Sequence, residues 1–263
     1  MSVTPAPATP EPSSPQTHVP ASGASPPGLR LSPWEGLVLA LVAGAIVWAF
    51  LQRYHPVFQV AKEYDIPALG MPKEKWDAYH EQLVKVEKRN ALLELGVYGS
   101  LLGLLLALGE GLSRRSLLAA LLAVPLGIAL GCAGGLAGAL AGTVAHAPFD
   151  AIRGVRPELA DMVKSQACML APMGIAVGLA LGILSGSVRT LVVAALAGLA
   201  AGVLAAFVYP VGVSFLLPNV PTDSLMPVDH AQRAMWLWIG VFTALTGLLI
   251  PAVSRQRVPA KKA

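Results

Sequence analysis

Residues 167–206 read ACMLAPMGIAVGLALGILSGSVRTLVVAALAGLAAGVLAA, two apolar stretches joined by a short basic turn. In the first, Gly174, Gly178, Gly182 and Gly186 recur every fourth residue; in the second, Ala194, Gly198, Gly202 and Ala206 keep the same spacing. Four residues is just over one helical turn, so each set forms a strip almost free of side chains down one helix face. In water such helices would be weak, at about 1 kcal/mol per Gly relative to Ala. Between lipid tails the same strip lets two backbones approach closely and gain dispersion contacts. The stretch therefore predicts two membrane-spanning helices, with Gly174, Gly178, Gly182, Gly186, Gly198 and Gly202 at packing positions.

The rest of the chain repeats this character. Of 263 residues 55% are hydrophobic and only 13% charged, with a mean hydropathy of +0.63. A soluble domain carries about 25% charged residues. Here the charge is confined between long uncharged runs, which is the pattern of a polytopic membrane protein. Six spans are expected, at about 34–52, 91–109, 117–145, 167–185, 191–209 and 234–252, so the fold class is an all-α transmembrane bundle. Trp34, Tyr54, Trp236 and Trp238 stand at span ends, where aromatic rings anchor at the lipid interface. The net charge of +4 reflects Lys and Arg flanking the spans rather than a nucleic-acid role.

Residues 1–33 hold nine prolines among Ala, Ser and Thr, and read as a disordered tail. No basic segment precedes the first apolar run, so a cleavable signal peptide is not expected. Residues 253–263 form a basic C-terminal tail. Between spans one and two, Trp76, Tyr79, Leu83 and Val86 recur at helical spacing with charges between them. Pro72 marks the start of this amphipathic helix, about 72–90, and it is expected to run unbroken into the second span. The third run is too long for an upright helix: 29 residues reach about 43 Å against a hydrocarbon core of about 30 Å. It also bears Gly127, Gly131 and Gly135 on one strip and Gly134, Gly138 and Gly142 on another. Two strips imply two neighbours, which makes this helix the expected centre of the bundle. Pro210 is expected to end or kink the fifth helix. Ser113-Arg114-Arg115-Ser116-Leu117 returns as Ser187-Val188-Arg189-Thr190-Leu191, 74 residues on. The match fits a parallel duplication of a hairpin, or convergence on a simple turn.

Chemistry is sparse. Spans three to five contain no Asp, Glu, Lys, Arg or His, and Glu94 and Glu110 lie near the ends of span two, where snorkelling or capping is expected. His18, His55, His80, His146 and His230 are scattered without metal-ligand spacing, and Cys132 and Cys168 fit no metal motif. No nucleophile motif, phosphate loop or dinucleotide fingerprint occurs. No catalytic residue, metal or cofactor is expected. The expected function is a non-enzymatic membrane scaffold or assembly component in a bacterial cytoplasmic membrane. The rival is a channel or small-solute transporter built from two parallel hairpins. The expected partners are the lipid bilayer and, through the small-residue faces, a second copy or another membrane protein.

With six spans, both termini and the two Arg-bearing turns share one side. That side carries eight Lys and Arg, the other eleven, seven of them in residues 53–90. Those seven are interleaved with acids in the longest loop, and the reading favoured here keeps the termini in the cytoplasm.

Overall fold

The structure is a computed structural model that describes residues 28–61, 72–151, 158–217, 220, 226 and 232–254, with the side chains of 148–151 excepted. The readings of residues 1–27 and of 255–263 as tails lie outside the described residues. The chain folds as six helices: α1 (Pro33–Tyr54), α2 (Lys73–Ser113), α3 (Leu117–Ala151), α4 (Leu159–Ser185), α5 (Val188–Leu216) and α6 (Gln232–Ser254). All six are long and apolar enough to cross a bilayer, so the chain is a multi-pass integral membrane protein with an all-α fold.

Local sequence explains the helix ends. Ser32 caps α1 through its side chain, Glu35 returns the bond to the Ser32 N–H, and Pro33 occupies the first turn. The α2–α3 turn places Arg115 in the left-handed region (φ 54°), and the α4–α5 turn places Gly186 there (φ 68°). Ser116 and Ser187 follow these residues, and each hydroxyl accepts a backbone N–H of the next helix. The 41 residues of α2 span about 61 Å, twice the hydrocarbon core, so the amphipathic segment and the second span form one helix.

The structure departs from the expected boundaries in three places. Pro210 does not end α5, which continues to Leu216. Proline removes one backbone donor, the one the Ala206 carbonyl would accept, a loss that membrane helices absorb locally. The polar stretch 146–166 is mostly helical, divided between the end of α3 and the start of α4. Residues 28–32, which composition assigns to the tail, pack against the bundle, with Leu29 and Leu31 buried.

The helices form a closed ring in chain order, with α2 and α4 also touching α6 across it. The inner three are α2, α4 and α6, whose spans are 56%, 56% and 50% buried, against 33%, 28% and 39% for α1, α3 and α5. Each outer helix fills the groove between two inner ones. Paired positions give the directions: Gly99 meets Gly131 and Gly103 meets Gly127, so α2 and α3 are antiparallel. By the same test α4 is antiparallel to α3 and α5, and α1 to α2 and α6. The three inner helices therefore run parallel. The expected centre, α3, is instead the least buried helix. Its two glycine strips bring it close to α2 and α4, while Leu118, Leu121, Leu122, Leu140 and Val144 face outward.

The middle of the inner triangle is filled. Tyr98 lies against Trp238 and Phe242, with ring centroids 5.8 and 5.7 Å apart. The Tyr98 hydroxyl donates to the Ile239 carbonyl (3.1 Å), and Trp238 Nε1 donates to Gln166 Oε1 (2.8 Å). These bonds give each buried polar tip a partner where water is absent, and join the three inner helices.

Candidate functional site

The glycine positions fall on the contacts between inner and outer helices. A Cβ on Gly127, Gly131 or Gly135 of α3 would overlap the carbonyl oxygens of Gly103, Gly99 and Leu95 of α2. In the second hairpin, Gly174 and Gly198 meet backbone to backbone, Gly178 meets Ala194, Gly202 meets Leu170 and Gly182 meets Leu191. The α1–α6 pair repeats the device with Gly36 against Gly247. Gly186 is the exception. A Cβ there would meet nothing within 4 Å, and its left-handed φ makes it the C-terminal cap of α4 rather than a packing residue.

Buried charge is concentrated at the two ends of the span in α2. At the end near the chain's N-terminal segment, Glu110 is fully buried. Its carboxylate accepts the backbone N–H groups of Arg30 and Leu31 and both Nε and Nη2 of Arg114, at 2.8–3.2 Å. Arg114 Nη2 also donates to the Gly28 carbonyl. The carboxylate is thus neutralised and fully solvated by protein donors, and it straps residues 28–32 across the bundle end.

At the other end, Glu94 is 1% exposed and pairs through Oε1 with His55 Nδ1. His55 is held because its N–H caps α1 on the Leu51 carbonyl (2.9 Å). Among the described residues Glu94 Oε2 has no hydrogen-bond partner. One turn earlier, Asn90 clamps Phe58 from both sides: its Oδ1 accepts the Phe58 N–H (2.8 Å) and its Nδ2 donates to the Phe58 carbonyl (3.0 Å). These bonds fold residues 55–61 back onto α2. Sequence reading placed Glu94 at the interface as a snorkelling group and missed His55, Asn90 and Phe58 as its companions. The one available signal was a carboxylate and an amide four residues apart on the same helix face.

Beside this clamp a groove of about 700 Å³ opens outward between α2 and α3. Leu92, Gly96, Ser100, Cys132 and Leu136 line it, and Phe58 and Arg89 stand at one end. Gly96 leaves the floor open, since a Cβ there would come no nearer than 3.4 Å to any neighbour. Among the described residues no three His, Cys, Asp or Glu side chains are placed to hold a metal ion. His146 is buried on α3, and the side chain of Asp150, four residues on, lies outside the described residues. Comparison with protein-family models, curated proteins and solved structures finds no match for this chain.

Proposed function

We propose that this protein is a non-enzymatic membrane scaffold that holds one rigid helix outside the bilayer for a partner protein. The observation that carries this reading is the shape of α2. Its first buried residue is Asn90, so Lys73–Arg89 extends beyond the buried part of α2 as about five turns of helix continuous with a span. The apolar face of that segment (Trp76, Tyr79, Leu83, Val86) is half-buried, and its other faces are exposed and charged. Glu81 and Lys85 pair one turn apart at 2.6 Å, which supports helicity in water, and that bond lowers the Glu81 pKa. The glycine contacts between inner and outer helices act, on this reading, as glycine zippers that keep the body rigid. The filled centre, with Tyr98, Trp238 and Phe242 in the triangle, supports a solid body over the conduit that a channel or transporter requires. The all-helical spans fit a bacterial cytoplasmic membrane rather than an outer membrane, where barrels prevail.

The test is purification in mild detergent of the wild type and of a Tyr79→Glu, Leu83→Glu variant. A stoichiometric protein partner retained by the wild type and lost from the variant, with an unchanged Tm, is the expected outcome. A partner retained equally by both, or a chain that purifies alone, overturns the reading.

A further inference from the structure

The groove between α2 and α3 has the dimensions of one leaflet. Its α2 wall runs from Arg89 to Leu101. Twelve residues of rise is about 18 Å, and half of a hydrocarbon core is about 15 Å. The lining changes character along that length. Arg89 marks the end next to the water-exposed part of α2, while Leu92, Leu93, Gly96, Val97 and Leu101 lead inward with Leu136 opposite.

The charge at the mouth is uncompensated. Arg114 is bound to Glu110 and Lys85 to Glu81, whereas Arg89 is exposed and makes no ion pair or hydrogen bond among the described residues. A cation fixed at headgroup depth above an apolar channel complements an anionic headgroup above an acyl chain. Phe58, clamped by Asn90, lines the groove beside Arg89, so this end is built by two hydrogen bonds rather than left to a loose loop. A bare apolar face would take any lipid. The free guanidinium is what selects.

We propose that this groove binds one anionic glycerophospholipid, its phosphate at Arg89 and one acyl chain lying over Gly96 and Ser100. The site lies in the leaflet on the side of the exposed α2 segment. It serves as a specific lipid anchor, independent of whether α2 docks a partner.

The test uses the full chain reconstituted in phosphatidylcholine vesicles containing trace spin-labelled phosphatidylglycerol or spin-labelled phosphatidylcholine. The immobilised fraction of each label gives its relative association constant. The wild type should prefer phosphatidylglycerol by about fivefold, the effect of one cation near the surface. Arg89→Gln should abolish the preference, and Lys88→Gln, which removes an exposed neighbour outside the groove, should preserve it. Gly96→Leu should lower the immobilised fraction of both labels by filling the floor. Equal binding of the two lipids by the wild type overturns the proposal, as does a preference that survives Arg89→Gln or is lost equally in Lys88→Gln. Oxidative cross-linking of Cys132 between two chains in the bilayer would place a second copy in the groove and overturn it too. Arg89 is exposed, so its variant folds and decides the matter even if Gly96→Leu does not.

Discussion

Glu110 receives donors from two backbone amides and one arginine, whereas Glu94 has His55 and one bare oxygen. Removing His55 leaves a buried carboxylate without its partner, a change that costs about 3 kcal/mol or more. His55→Ala should therefore lower the Tm in detergent sharply. The double variant His55→Leu, Glu94→Leu should recover most of that loss, because two apolar groups need no compensation at that depth. A double variant as unstable as His55→Ala would show that the pair matters for its shape rather than its charge. The carboxylates were visible in the sequence, since acids within an apolar run stand out. Their depth was not, because burial of Glu94 depends on residues 55–61 folding back. The bonds that fold them link Phe58 to Asn90, 32 positions away.

The element scale shows what small-residue spacing does and does not encode. Residues four apart share a helix face because that period is fixed by helix geometry. The register between the two hairpins was misread. The sequence match sets them 74 apart, whereas the paired backbones, Gly103 with Gly127 and Gly174 with Gly198, set both helices 71 apart. The left-handed turn residues, Arg115 and Gly186, are 71 apart. The two hairpins therefore correspond at one offset from seam to loop. Ala, Leu and Gly repeats carry too little information to tell an offset of 71 from one of 74. The seams predict that Gly178→Leu will separate α4 from α5, costing about 3 kcal/mol as overpacking against backbone. Ala180, two positions on, is no control, since α4 is an inner helix and Ala180 is fully buried. Ala200→Leu on the exposed face of α5 is the proper comparison and should melt like wild type. If Gly178→Leu melts with it, the glycines of α4 are not a packing seam.

For the whole molecule, two glycine strips on α3 suggested a central position, but closeness of backbones and burial are separate quantities. A helix with two tight neighbours can still turn most of its surface to lipid, and α3 does. Centrality came instead from bulk. Tyr98 of α2 meets Trp238 and Phe242 of α6, about 140 residues further along the chain and beyond any local pattern. The parallel inner triangle leads to a prediction about orientation. It puts the N-terminus of α1, both hairpin turns and the C-terminus of α6 at one end, with the free part of α2 at the other. In a chain with Cys132 and Cys168 replaced by Ala, single cysteines at Arg115 and Ser187 should react with a membrane-impermeant maleimide from the same side, and one at Lys88 from the opposite side. Arg115 and Ser187 lie in turns and Lys88 is exposed, so none of the three should disturb the packing. The cation count alone would put the α2 side in the cytoplasm. The reading with the termini inside predicts instead that Arg115 and Ser187 react only in inverted vesicles and Lys88 in intact cells. Reaction of Ser187 from outside intact cells would reverse the orientation and keep the fold. Reaction of Arg115 and Ser187 from different sides would break the parallel triangle itself.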